Sequence, residues 1–156
     1  MKQILWSLLA IFVAVVVGGI TVGIVEIPGY FIHPPPPGLN FNDMESMKAH
    51  ASKAPPLAMA FVALAWAAGP FVGTLVACLI VRKKYVVHGL IIGTIFALLD
   101  ASNYPQFPHP LWLMVAGIVF PLLTSSAAAY LANRLFPPKA CPHQPFDMRK
   151  KNMACK

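Results

Sequence analysis

The residues able to do chemistry are few, and they gather at the edges of apolar runs. Asp100 and Glu26 are the two acids nearest to hydrocarbon, each close to the end of such a run. An ionisable group at membrane depth is costly and marks function by default. Asn103, Tyr104, His33 and His109 fall near the same boundary, so a polar cluster could form there, relaying protons or binding a metal through Glu26, His33, Asp100 and His109. The competing reading is interfacial, with each acid hydrated or capping a neighbouring helix end. It is preferred, because both acids sit at the margin of their runs.

The remaining chemistry is sparse. A haem held across a helix bundle needs two histidines at one depth; His88 has no such partner, which leaves it as a lone candidate ligand for a pigment cofactor, or as a ring reaching towards the interface. Cys141, His143 and Cys155 lack the paired spacing of a zinc site. Cys78 lies inside an apolar run, and reduced thiols are expected throughout. There is no phosphate-binding loop, nucleophile elbow, H-E-x-x-H or dinucleotide fingerprint. No enzyme activity and no cofactor of the protein's own are expected; bound lipids are.

What must position these residues is a membrane bundle. Only 11% of the 156 residues are charged and 58% are hydrophobic, with mean hydropathy +0.67, whereas a soluble domain is roughly 25% charged. The formal charge of +7 sits in short basic clusters beside apolar runs, where it reads as a topology signal and excludes nucleic acid as a partner. A helix crosses hydrocarbon in about 20 residues, which predicts an all-α fold with spans at about 4–27, 57–81, 84–103 and 111–134. Residues 1–136 then form one four-helix domain, and 137–156 a basic, Pro-rich tail without hydrophobic periodicity. The first span stops at Glu26-Ile27-Pro28-Gly29 and reads as a retained helix, since its flanks do not suit a cleaved signal peptide. The third is short: Val86 to Leu99 offers 14 residues, about 21 Å at 1.5 Å each, and reaches across only by including Asp100.

Ten of the twelve lysines and arginines fall on one side of these spans, and only Lys48 and Lys53 on the other. Positive residues stay inside, so both termini are expected in the cytoplasm, as an even number of spans also requires. The first outer loop carries Pro34-Pro35-Pro36-Pro37-Gly38, a stiff polyproline segment. A short interfacial helix from Asp43 to about Ser52 follows, capped by Asn42 or Asn40.

Within the spans, small residues recur every fourth position: Ala10, Ala14 and Gly18; Ala65, Gly69, Gly73 and Ala77; Gly89, Gly93, Ala97 and Ala101; Gly117, Pro121, Ser125 and Ala129. Lipid tails are as apolar as leucine, so helices associate by close backbone approach through such stripes. Gly69, Gly73, Gly89, Gly93, Ala97, Gly117 and Ser125 are the expected packing positions. The short turn Arg82-Lys83-Lys84 makes the second and third spans antiparallel neighbours, with their glycine stripes expected to face each other. Pro70 and Pro121 each remove one backbone bond and predict kinks.

Glu26, His33-Pro34-Pro35-Pro36-Pro37-Gly38-Leu39, Ala65-Trp66-Ala67-Ala68-Gly69, Phe71-Val72-Gly73 and Pro108-His109-Pro110-Leu111-Trp112 resemble a group of small bacterial inner-membrane proteins with no assigned activity. The likeness covers roughly residues 1–135 and implies a four-helix protein of the bacterial inner membrane. Stripes on every span point to association. A non-catalytic accessory subunit of a larger membrane complex, such as an electron-transfer assembly, is the leading expectation, with the bilayer and other membrane subunits as partners. The alternative is a small oligomeric transporter or channel using Asp100 and Glu26.

Overall fold

The computed structural model describes residues 2–40, 42–105 and 109–136. Among these, five helices and no strand form: α1 (Lys2–Ile32), α2 (Met44–Ala51), α3 (Pro56–Val81), α4 (Tyr85–Asn103) and α5 (Leu111–Leu135). All but α2 are long and apolar enough to cross a bilayer. The chain is an all-α, multi-pass membrane protein. The basic tail, with Cys141, His143 and Cys155, lies outside the described residues.

The last three spans begin and end within one residue of expectation, but α1 does not. It continues through Pro28 to Ile32, where the amide of His33 bonds the Gly29 carbonyl at 2.9 Å. Proline removes one backbone hydrogen bond, yet α1 is still pressed against α3 beyond it. A methyl at Gly29 would stand 3.6 Å from the Ala58 carbonyl and 3.7 Å from Phe61 Cβ. Tertiary packing thus carries the helix past a local stop signal. At 31 residues it is about 46 Å long, well beyond an apolar thickness of about 30 Å. Pro70 and Pro121 likewise lie inside unbroken helices.

Between α3 and α4 the chain reverses through two left-handed residues, Arg82 (φ 50°) and Lys84 (φ 49°). Glycine would adopt this backbone more easily; the basic residues instead set positive charge beside the carbonyl end of α3, where the helix dipole favours it.

The expected pairing of the α3 and α4 glycines is overturned. Gly69 and Gly73 face α1: a Cβ at Gly69 would stand 2.8 Å from the Gly18 carbonyl, and one at Gly73 2.6 Å from that of Ala14. Gly89 and Gly93 face α5, with the carbonyls of Ser125 and Pro121 at 3.0 and 2.9 Å from the corresponding points. The α3–α4 turn fixes adjacency only at its own end. Further along, α4 meets α3 at Thr74, whose methyl lies 3.5 Å from a Cβ at Gly89. Each stripe is therefore matched inside the chain: α1 on α3 antiparallel, α4 on α5 antiparallel, and α3 beside α5. The buried core follows these seams, with Ala10, Ala14, Ala77, Ile92 and Phe96 in one cluster and Cys78, Tyr85, Ala129 and Ala132 in another.

Candidate functional site

At the end of the bundle where α1, α4 and the connection to α3 terminate, the small-residue seams give way to larger groups. Trp66 on α3, Tyr104 at the end of α4 and His109 before α5 form a ring cluster, with centroids 5.8 to 6.4 Å apart. Edge-tilted rings at such spacings attract through their quadrupoles. The Tyr104 hydroxyl donates to the Met114 carbonyl at 2.6 Å. Gly117 makes room for this cluster, since a Cβ there would collide with the Tyr104 hydroxyl and the Trp66 ring.

Above this floor the outer loop folds back as a roof. The α2 helix is capped by Asp43, not by Asn42 or Asn40; Asn40 instead closes a turn onto the amide of Asn42. The Ser46 hydroxyl and the Glu45 amide donate to the Asp43 carboxylate at 2.5 and 3.1 Å. These bonds stabilise its anion and hold its pKa below the ordinary carboxylate value. The polyproline segment is pinned to α2 by two histidines, His33 and His50, whose rings stack 4.1 Å apart and nearly parallel. Nε2 of His33 lies 3.1 Å from the His50 carbonyl, which accepts its proton. Partial burial, and then the charge of His33, hold the His50 pKa below its usual 6.5.

The roof, the end of α1, the start of α3 and His109 line a half-open cavity of about 320 Å³. Glu26, half-buried, is the carboxylate that lines it, with Met47, Met59, Val62 and Leu113 as apolar walls and the rings of Tyr30, His33, His50 and His109 at its polar side. Among the described residues, neither lysine nor arginine lines it. Asp100 does not line the cavity; it is 6% exposed and within electrostatic reach of Glu26 and Tyr104. One of its carboxylate oxygens, Oδ2, is buried without a hydrogen-bond partner. An orphaned carboxylate oxygen in a low-dielectric site is expensive and is the most anomalous group among the described residues. Thr74 Oγ1, deep on the α3 seam, is likewise unpartnered, and nothing in the structure explains it.

The four candidate metal ligands are drawn to one end of the molecule. Glu26, His33 and His109 share the cavity wall, and Asp100 interacts with Glu26 from outside the lining. Among the described residues no three His, Cys, Asp or Glu side chains converge closely enough to hold a metal ion. His88 stands apart, buried near the α3–α4 turn with its Nδ1 donating to the Lys84 carbonyl at 3.0 Å. It is about 18 Å from Asp100 along α4 at 1.5 Å per residue, with Ile92 and Phe96 filling the same face between them.

His50, Tyr30, Met47 and Met59 carry no local signal that marks them as a lining, because their partners are distant in the chain. Glu26, His33, Trp66 and His109, from four separate stretches of the sequence, lie at this end. No family model, curated protein or solved structure matches the chain.

Proposed function

We propose that this protein is a small transporter or channel for cations, using Glu26 and Asp100 as its charge-binding element. It resides in a bacterial inner membrane with its termini in the cytoplasm and the cavity opening outward. The single observation that carries the reading is Asp100: nearly fully buried, one oxygen unpartnered, and electrostatically coupled to a second acid on another helix. Buried acids near an aqueous cavity are the usual elements of ion and proton pathways in membrane proteins. Four helices give one narrow bundle, so a conducting form requires several copies.

The test is cation or proton flux into proteoliposomes under an imposed membrane potential, read by a pH-sensitive or cation-sensitive dye. Flux in the native protein that falls to background in Asp100→Asn is expected. Equal flux in both proteins, or none in either, would refute the reading.

The accessory-subunit reading retains one supporting observation. The small stripes are consumed inside the bundle and no longer argue for outside partners. However, only 17% of the apolar stretch of α1 is buried, against 44% for α3, which leaves most of its circumference open to lipid or to another subunit. Co-purification of a stoichiometric partner, lost when bulky residues are placed on the open side of α1, would support that role.

A further inference from the structure

The cavity has a composition that selects for one kind of occupant. Its wall is mostly methionine, valine, leucine and alanine, and its carboxylate, Glu26, is backed by a second acid that has an unpartnered oxygen. Two acids at this depth with no lysine or arginine in the lining leave negative charge that must be met by protons or by a bound cation. A bare inorganic ion would need several ligands converging on one point, and among the described residues no three His, Cys, Asp or Glu side chains do so. A volume of about 320 Å³ falls within the range of small-molecule pockets. Tyr30 adds a π-face of the type that attracts ammonium groups.

We infer that the cavity binds an organic monocation, an ammonium group on a compact apolar body, with the ammonium at Glu26 and the body against Met59, Val62 and Leu113. This rests on the proposed use of the Glu26–Asp100 pair and names the class of molecule that meets it. The ammonium group belongs either to a free solute or to the headgroup of an ethanolamine lipid.

Calorimetric titration of the full chain in nanodiscs of phosphatidylglycerol, with benzyltrimethylammonium as probe, tests the inference. Saturable binding is expected, at least tenfold weaker in Glu26→Gln, and at least tenfold weaker for neopentylbenzene, the uncharged isostere. A second variant, Met59→Trp, fills the cavity from the apolar side and should abolish binding while the protein still elutes as the native species. Adding phosphatidylethanolamine to the discs separates the sources: competition assigns the site to the headgroup, and unchanged binding assigns it to a solute. Absence of saturable binding in the native protein, or equal affinity for the neutral isostere, overturns the inference. So does binding that survives both substitutions. Binding without flux would sink the transport reading and leave this one standing; proton flux without binding would do the reverse.

Discussion

The middle of the bundle and its loop end are built from opposite materials. Along the α1–α3 and α4–α5 seams, Gly18, Gly69, Gly73, Gly89 and Gly93 bring backbones so close that an added methyl has no room. At the loop end, Met47, Met59, Tyr30 and three histidines surround an open volume, with two acids beside it. Close packing in lipid comes from small side chains, whereas a site needs groups long enough to converge from several elements. The difference teaches that the stripes are the stem of this molecule, and that its chemistry begins where they stop.

The sharpest way to break that division is to add one methyl to each kind of glycine. In Gly73→Ala the new Cβ meets a backbone carbonyl, that of Ala14, at 2.6 Å, and backbone cannot swing aside. Overpacking of this kind costs about 1–3 kcal/mol. In Gly19→Ala the methyl enters open space, and no loss is expected. Reversible unfolding in mixed detergent micelles compares the two; equal stability would mean that the stem is not keyed as described.

A smaller effect is expected from pH at the roof. The stack suits a neutral His50 ring, since a proton on His50 would place its charge against the His33 ring 4.1 Å away and near Lys53. Because the His50 pKa is lowered in the closed roof, the released loop binds protons more readily than the closed one. The roof is therefore stable above the ordinary histidine value of 6.5 and loosens as pH falls below it. Glu26 and His109 line the same cavity, but the charges that act on His50 are those of His33 and Lys53. Amide exchange of residues 44–51, corrected for intrinsic rate, should quicken several-fold between about pH 8 and about pH 5.5, where histidine changes charge. The core of α3 should not respond. In His50→Gln the roof should lose its dependence; an unchanged slope would show that the pair is not the latch.

These contrasts also mark what was legible from sequence. The four spans were readable because length and apolarity act locally, and three of them held to within a residue. Pro28 misled, since a stop signal is local and the α3 contact that overrides it is not. The stripes were visible as stripes, but spacing alone does not say which faces meet: Gly19 and Gly23 lie beside the α1 stripe and touch nothing within 4 Å, while Gly18 meets both Gly69 and Phe96. Glu26 and Asp100 stood out as acids near hydrocarbon, yet their proximity depends on α1 lying against α3 and on where α4 ends. His50 had no local signal, because its partner lies in another segment of the loop.

The smallest expected effect sharpens the comparison from the side of the site. Tyr104→Phe removes the hydroxyl that donates to the Met114 carbonyl at 2.6 Å and keeps the ring among Trp66 and His109. Hydrogen bonds within membrane bundles are worth about 0.6 kcal/mol on average, so unfolding in micelles should register a loss of about that size. The hydroxyl would also collide with any side chain at Gly117, and its removal relaxes that constraint without opening the stem. If Tyr104→Phe instead cost as much as Gly73→Ala, the loop end would be keyed as tightly as the seams. The distinction between a rigid stem and an accommodating site would then be lost.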